Sequence, residues 1–335
     1  MWMLDNQTAY AAERTWVRDK HGVHHWLVAV RATFAFDEQG TLRLADEQPP
    51  PQRTAMYFGE PGQSSARYDA DLAGMKPATD LTVLGSAHAP HGRPATKVLV
   101  GLRVEKLTKS VEVFGERVYT GASLLDVSRA APFVHKRLQY EAAYGGADTS
   151  HPDPAKHVRE GRNPVGLGTY AAARARVGRP AHTIEYPGID PAKSGPAGFG
   201  PLASDWMPRL RYAGTFDAGW QQAKKPLLPD DYDERFTLCA PADQQLGRYL
   251  RGGELLELLN FTPRGVLRLT LPKIYLTFST RFGTRTEEHR SRLVSVIVEP
   301  DERQLVMVWQ TALQVRARDA DYLDETVIDE KPYST

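Results

Sequence analysis

Alternation of apolar and polar positions is the clearest pattern in the first third of the chain. From residue 25 to residue 36, apolar side chains recur at every second position, while Arg31 and Thr33 fall on the opposite face. This period of two predicts a half-buried β-strand. Residues 37–40 supply a turn, and residues 41–44 predict a short returning strand. Further strands are predicted at residues 81–84, 97–104 and 111–120, the last with a tight turn at Gly115 and Glu116.

Short apolar runs also fill the last third of the chain. They are separated by turn residues and predict strands at residues 266–271, 274–278, 293–299 and 303–309. In the last of these runs, Leu305, Met307 and Trp309 share one face, and Val306 and Val308 share the other. A strand with two apolar faces is typical of a sheet that is covered on both sides.

The centre of the chain has a different composition. Of the 78 residues from 140 to 217, 20 are Gly or Pro and only 10 are Val, Ile, Leu or Phe, which predicts mostly irregular structure. Long irregular segments in compact domains are usually disordered or functional, and large aromatic side chains favour an ordered one. We expect this segment either to form a partner surface or to tie the two β regions together. Its aromatic residues are Tyr140, Tyr144, Tyr170, Tyr186, Phe199, Trp206, Tyr212 and Phe216.

Helix signals are few, at residues 169–176, 241–250 and 319–325, and none is amphipathic over the ~12 residues that an independent helix needs. The pattern predicts a mainly β fold of antiparallel sheets, forming either a sandwich or two β lobes, with a loop-rich centre and few short helices. We expect one domain over residues 1–335. Its parts are an N-terminal β region (about 1–125), the loop-rich centre (about 126–250), a C-terminal β region (about 251–315) and a short polar tail.

Composition limits the cellular compartments and the kinds of binding partner that we expect for this protein. The 335-residue chain has 42 Lys and Arg against 41 Asp and Glu, a net charge of +1, so no global field attracts nucleic acid. No apolar run approaches the ~20 residues of a membrane span, and the start of the chain lacks the features of a signal peptide. The single cysteine, Cys239, excludes an internal disulfide. We therefore expect a cytoplasmic protein that binds neither nucleic acid nor membrane.

Histidines give only a weak metal signal. His88 and His91 have a spacing that can present two imidazoles to zinc, and His21, His24 and His25 lie near one another in the sequence. A structural zinc site usually needs four ligands, and no second pair stands at a familiar spacing. We expect surface histidines, with neither a metal nor a cofactor.

Carboxylates offer the best enzymatic alternative. Pairs such as Asp69 and Asp71 can divide acid and base roles if burial separates their pKa values. Aspartates beside Gly, Pro and Thr more often cap turns, as the surroundings of Asp217 suggest.

Nucleophile elbows and phosphate-binding loops are missing from the sequence. Cys239 has no flanking base, so we expect it to be a buried small side chain.

An ordered series of short phrases carries a family resemblance. Each phrase is weak alone, but the set resembles the DUF2169 family of bacterial proteins from about residue 68 to residue 272. The phrases are YDADL at 68–72, KPATDL at 76–81, GSAHAP at 85–90, YEAAYGG at 140–146, NP at 163–164, PAGFGP at 196–201, WMPR at 206–209, AGTFD at 213–217, APADQQ at 240–245 and GGE at 252–254.

The resemblance implies a role in handling protein partners. Members of that family are encoded beside type VI secretion components, including spike proteins and PAAR-like tip proteins, and some are regarded as adaptors or chaperones that load an effector onto the spike. No catalytic residue carries over from the family. Aromatic and arginine side chains dominate protein interfaces. The predicted partner-binding residues are therefore Trp206, Arg209, Tyr212, Phe216 and Trp220.

Two alternatives stay open at this stage. The first is a hydrolase with a cleft that contains Asp69, Asp71, His88 or Asp217. The second is a structural component of the secretion particle itself.

Overall fold

A computed structural model of the protein describes residues 2–331. Strands dominate this part of the chain and most pair antiparallel, which confirms the mainly β prediction. The strands are β1 (Met3–Asn6), β2 (Ala11–Arg18), β3 (His24–Phe36), β4 (Leu42–Leu44), β5 (Met56–Tyr57), β6 (Ala66–Tyr68), β7 (Asp80–Val83), β8 (Ser86–His88), β9 (Lys97–Val104), β10 (Leu107–Phe114), β11 (His135–Arg137), β12 (Tyr144–Gly145), β13 (Ala147–Asp148), β14 (Val158–Arg159), β15 (Leu167–Gly168), β16 (Ile184–Glu185), β17 (Leu255–Leu259), β18 (Val266–Thr270), β19 (Leu276–Phe282), β20 (Arg285–Arg290), β21 (Arg292–Glu299), β22 (Gln304–Val315) and β23 (Leu323–Glu330).

Helices are few and short, as predicted. The α-helices in the described residues are α1 (Pro191–Ser194) and α2 (Ala218–Ala223). The stretches 169–176 and 241–250 each contain a 3₁₀ helix, and the stretch 319–325 overlaps one; this tighter form suits short runs. The 3₁₀ helices are Pro90–Gly92, Tyr140–Ala142, Pro154–Lys156, Ala173–Arg176, Arg209–Tyr212, Glu234–Thr237, Ala242–Gln244 and Ala317–Tyr322.

Strands from both ends of the chain share the central six-stranded sheet. Its order is β2-β3-β22-β21-β7, and β4 pairs with the far end of β3. The antiparallel pair β3 and β22 runs from His24 opposite Val315 to Ala35 opposite Gln304. β7 is parallel to β21. The predicted N-terminal and C-terminal β regions are thus interleaved rather than separated into two lobes.

β3 is covered on both faces, so the prediction of a half-buried strand is wrong. Trp26 and its period-two neighbours face the main core, while Leu27 and Ala29 pack with Leu72 on the other side. Arg31 is only 3% exposed and donates from Nη1 to Asp71 Oδ2 at 3.1 Å. A buried charge is tolerated when it is paired in this way. The alternating pattern identified the polar positions of β3, but it could not show that the loop containing Asp71 and Leu72 covers that face.

β22 is also covered on both faces, and here the prediction is confirmed. Leu305, Met307 and Trp309 belong to the main core. Val306 and Val308 belong to a second apolar cluster on the opposite face of the sheet. A strand with two apolar faces is stable only in the interior of a covered sheet, because exposing either face would place apolar surface in water.

A five-stranded sheet with the order β16-β10-β9-β17-β18 joins the N-terminal region to the start of the C-terminal region. Within it, β10 ends at Phe114, immediately before the turn predicted at Gly115 and Glu116, whereas the predicted strand beyond that turn forms only isolated bridges at Val118 and Tyr119. The reason lies at Gly115, which passes close to the carbonyl of Ala131. A Cβ atom at Gly115 would lie 1.8 Å from that oxygen, so the chain leaves the sheet where only glycine fits.

The last described residues form a strand rather than only a polar tail. After the 3₁₀ helix Ala317–Tyr322, β23 lies between β1 and β19 in a four-stranded sheet with the order β1-β23-β19-β20. Its buried residues include Leu323, Thr326 and Ile328. The helix signal at residues 319–325 therefore covers the last four residues of the 3₁₀ helix and the first three of this strand.

The centre is irregular and ordered, as predicted for residues 140–217. Phe199 is 1% exposed, and its ring edge meets Phe261 of the C-terminal region at 5.1 Å between centroids. The carbonyl of Phe199 accepts hydrogen bonds from the amide of Val83 and the side chain of Gln244. The centre thus ties the two β regions together through buried aromatic and backbone contacts.

Candidate functional site

Two of the five predicted partner-binding residues lie inside the protein. Trp206 is 1% exposed, and its ring meets Tyr140 edge to face at 5.5 Å. Arg209 is 5% exposed. The prediction that these two side chains form a partner surface is therefore wrong, because neither reaches solvent. Tryptophan and arginine side chains offer a large contact area, and in Trp206 and Arg209 that area is buried in the core.

Arg209 instead holds the centre against the N-terminal region. Its Nη2 donates to Asp69 Oδ2 at 2.9 Å, and its Nη1 donates to the carbonyl of Leu202 at 2.6 Å. Nε and Nη2 donate to the carbonyl of Phe236 at 3.1 and 3.0 Å. A planar guanidinium that bonds three chain segments at once fixes their relative positions.

The other three predicted residues reach the surface. Phe216 is 54% exposed, and its ring meets Trp220 edge to face at 4.8 Å. Trp220 lies on α2 and donates from Nε1 to the carbonyl of Leu227 at 2.9 Å, which fixes the ring. Tyr212 is half-buried, and the guanidinium groups of Arg211 and Arg235 lie 4.7 and 4.4 Å from its ring centre.

Two more apolar side chains in the same segment are exposed and were not predicted. Met207 is 39% exposed and Leu210 is 47% exposed. They flank the buried Arg209, which holds the backbone between them. We call the set Met207, Leu210, Tyr212, Phe216 and Trp220 the 207–220 surface. The side chains of this segment that point outward could not be predicted, because its apolar residues show no helical or strand period.

Two of the three carboxylates predicted for the enzymatic alternative are paired with arginines. Asp69 accepts from Arg209, and Asp71 accepts from Arg31 and from the backbone amide of Gln52 at 2.8 Å. Burial raises the pKa of Asp71, although the Arg31 charge opposes that shift. Asp71 thus holds residues 66–72 against β3 of the central sheet, and Asp69 holds them against the loop-rich centre.

A buried polar cluster lies next to these pairs, and the sequence did not single it out. Lys76 Nζ is 3.1 Å from Asp80 Oδ1 and donates to Ser295 Oγ at 2.8 Å. Asp80 Oδ2 accepts from the backbone amide of Cys239 at 2.6 Å. The prediction that Cys239 is buried is confirmed, and burial raises the pKa of its thiol. A protonated thiol is a poor nucleophile.

His88 lies in a cavity of about 530 Å³ with residues that the sequence analysis did not connect to it. Its Nε2 is 3.7 Å from Asp301 Oδ1, and its ring centre is 5.6 Å from that of His135 on the adjacent strand. Burial lowers the pKa of His88. The other carboxylate oxygen of Asp301 accepts from Ser86 Oγ at 2.7 Å. The serine thus bonds to the carboxylate, whereas an activated serine nucleophile bonds to the histidine.

Asp217 has a local structural role. Its Oδ1 accepts from the backbone amide of Trp220 at 2.8 Å, which caps the N-terminus of α2. The four predicted enzymatic residues therefore have different bonding partners: Asp69 with Arg209, Asp71 with Arg31, His88 beside Asp301, and Asp217 at a helix cap. Over residues 2–331, no three His, Cys, Asp or Glu side chains come together as a metal site.

These features describe a mainly β protein whose buried ionic groups are paired and whose loop-rich centre exposes apolar side chains. Over residues 21–310 the chain matches the family model described as "Uncharacterized protein conserved in bacteria (DUF2169)". The chain belongs to this family. No match was found among curated proteins or among solved structures. In the described part of the chain, no helix combines the length and apolar character required to cross a membrane.

Proposed function

We propose that the protein is a non-enzymatic adaptor or chaperone that binds a type VI secretion effector or a PAAR-like tip protein and assists its loading onto the spike. The observation that carries the proposal is the 207–220 surface. Three of its large apolar side chains are 39–54% exposed within ten residues of one another in the sequence. Exposed apolar side chains concentrated on one segment are candidates for such a role, because apolar surface patches commonly mark protein interaction sites.

The setting of this surface supports a binding role. Trp206 and Arg209 lie in the interior beside Met207 and Leu210, so the exposed side chains stand on a fixed backbone. A rigid surface loses little conformational entropy when a partner binds. Aromatic side chains such as Phe216 and Trp220 are common interface hot spots. The family resemblance supplies the class of partner, and the exposed side chains supply a surface that fits it.

A co-purification experiment tests the proposal. The protein is co-expressed with the effector and the tip protein encoded beside it, and the retained partner is quantified. We expect the double variant Leu210→Ser and Phe216→Ser to weaken binding by about tenfold or more, since hot-spot truncations cost about 2 kcal/mol or more each. The matched control is Leu125→Ser with Val177→Ser, two apolar side chains that are also exposed, 60% and 49%.

Two results would overturn the proposal. One is that the wild-type protein retains neither partner while the effector is still secreted from cells that lack this protein. The other is that the control variant loses as much binding as the Leu210 and Phe216 variant. If the protein itself accumulates in the culture supernatant with the particle, a structural component is the better description.

A hydrolase is the second candidate, and the His88 cavity is the observation that favours it. A histidine with a lowered pKa beside a carboxylate is a suitable general base at neutral pH. The test is hydrolysis of ester, peptide and glycoside substrates by the purified protein. Activity that falls in His88→Gln and persists in the control His91→Gln would favour this function over the adaptor.

A further inference from the structure

A second cavity, of about 610 Å³, lies where the end of the loop-rich centre meets the last sheets. Its walls come from residues 248–251, the start of β19, the connection between β20 and β21, and Trp309 of β22. Leu250 pairs with Leu293 of β21 in an isolated β-bridge, which fixes the loop to the sheet. The volume is within the range of about 300–1,000 Å³ that is typical of binding pockets. We call it the arginine cavity.

The lining of the arginine cavity is strongly basic, although the whole chain is almost neutral. Arg248, Arg251, Arg290 and Arg292 line it, and none of the described lining residues is Asp or Glu. Arg248 pairs with Glu105, and Arg292 lies 4.8 Å from the ring centre of Tyr249. In the described part of the chain, no carboxylate pairs with the guanidinium of Arg251 or Arg290. Two guanidinium groups at the rim are therefore available to an anionic ligand.

The floor of the arginine cavity is apolar and preformed. Leu250, Leu276, Leu293 and Trp309 are each at most 4% exposed and belong to the main core. Trp309 also stacks on Tyr10 at 6.5 Å between ring centres. Tyr275, at 43% exposure, forms part of the wall. An apolar floor under a cationic rim is complementary to a ligand that carries carboxylates beside an apolar side chain.

We infer that the arginine cavity binds an acidic segment of a partner protein, with carboxylates at Arg251 and Arg290 and an apolar side chain on the leucine and tryptophan floor. A phosphate group fits less well. Phosphate sites commonly use backbone amides at a helix N-terminus or in a nest, whereas residues 274–276 and 290–293 are strand and extended backbone. Leucine and tryptophan side chains at the floor add apolar area that a phosphate does not use.

This inference rests on the proposed function, because it gives the chemistry of one partner segment. It is nevertheless testable without secretion. The probe is a fluorescent twelve-residue peptide with glutamates on both sides of a Leu-Leu pair, and the control peptide has glutamine in place of every glutamate. Anisotropy measures binding to the full chain at low and at physiological salt, where exposed charge pairs are screened to different extents.

We expect the acidic peptide to bind in a salt-sensitive manner and the glutamine peptide to bind about tenfold more weakly or not at all. The double variant Arg251→Gln and Arg290→Gln is expected to lose about tenfold or more of the affinity for the acidic peptide. The matched control is Arg129→Gln with Arg174→Gln, which removes two exposed positive charges elsewhere. Circular dichroism verifies that each variant is folded.

Four outcomes would overturn the inference. They are no binding of the acidic peptide, equal binding of the glutamine peptide, an equal loss of affinity in the control variant, and binding of pyrophosphate at lower concentration than the peptide with the same dependence on Arg251 and Arg290. The last would assign the cavity to phosphate ligands. None of these outcomes affects the secretion partners tested with the 207–220 surface, so the two ideas can fail separately.

Discussion

Lys76 and Asp80 carry opposite charges in the interior, at 3% and 1% exposure. Removing ions from water costs several kcal/mol each, and only close partners offset that cost. Here the Asp80 carboxylate accepts hydrogen bonds from Lys76 Nζ and from the backbone amides of Cys239 and Ala240. The Asp80 charge raises the pKa of Lys76, against the effect of burial, so the ammonium form is favoured. The two buried charges compensate each other, so removing one partner alone leaves the other charge buried without a counter-charge.

Lys76→Met is predicted to destabilise the protein by about 3–5 kcal/mol, because it leaves a buried carboxylate without its counter-charge. Adding Asp80→Asn to this variant is predicted to restore part of the loss, since the asparagine carries no charge. Urea unfolding of the wild type, both single variants and the double variant measures the coupling between the residues. Additive losses would contradict the proposed pairing.

At the residue scale, the sequence identifies large side chains that form contacts but does not show whether each points into the core or toward solvent. Trp206 and Phe216 belong to the same aromatic-rich segment, yet one is 1% exposed and the other 54%. Residue type gives the area available for burial, whereas the neighbours in space decide whether that area is buried. Those neighbours are Tyr140 for Trp206 and Trp220 for Phe216. The irregular backbone offers no period from which to infer them.

At the scale of an element, β20 shows that pairing with a neighbouring strand can form a strand that has no apolar pattern. Its sequence, from Arg285 to Arg290, is entirely polar, so no apolar pattern predicted it. It forms because β19 supplies an antiparallel partner. His289 then bonds across the packing layers: its ring nitrogens lie 2.7 Å from Thr280 Oγ1 and 2.8 Å from Thr311 Oγ1. This histidine links the four-stranded sheet to β22 of the central sheet.

The link makes stability dependent on pH. Burial lowers the pKa of His289 to about 4 from a usual value of 6.5. Between these values the unfolded chain binds a proton that the folded chain does not, so the free energy of unfolding falls as the pH falls. The expected loss from His289 is about 3 kcal/mol between pH 7 and pH 4.

Chemical denaturation across this pH range tests the effect. His289→Asn is predicted to lose about 1–2 kcal/mol at pH 7, where two hydrogen bonds are weakened, and to lose less than the wild type on further acidification. Carboxylate titration is common to both proteins and cancels in the difference. Parallel stability curves for the two proteins would show that His289 is not the source of the pH dependence.

At the scale of the whole molecule, the pairing of distant strands is the dominant fact. β3 lies between β2 and β22, and β9 lies between β10 and β17, so two sheets each combine N-terminal and C-terminal strands. The loop-rich centre packs against both through Phe199. Neither β region can keep its sheet if the other is removed.

We therefore predict one cooperative unfolding transition for the whole chain. Tryptophan fluorescence and far-ultraviolet circular dichroism should give the same denaturant midpoint within error, which is the usual test for a two-state transition. The tryptophans report from both regions, since Trp26 lies in β3 and Trp309 in β22. Two separate midpoints would mean that the β regions unfold as independent lobes.

The sequence allowed the strands to be predicted better than their arrangement. Period-two alternation located β3 and β9, and a run that is apolar on both faces located β22. Alternation does not say which strand is the neighbour, so both a sandwich and two lobes stayed open. The interleaved sheets follow from pairings across almost the full length of the chain, such as Phe34 with Leu305.

One pairing has a consequence for synthesis. β1 has β23 as its strand partner, in parallel register from Met3 opposite Glu325 to Asn6 opposite Ile328. A ribosome adds residues at about 5–20 per second, so the first strand waits many seconds for the last one. During that interval β1 lacks its strand partner, and the edge of β19 that pairs with β23 also stays unpaired from the synthesis of β19 until that of β23. The protein completes its own sheet only after translation has passed residue 328.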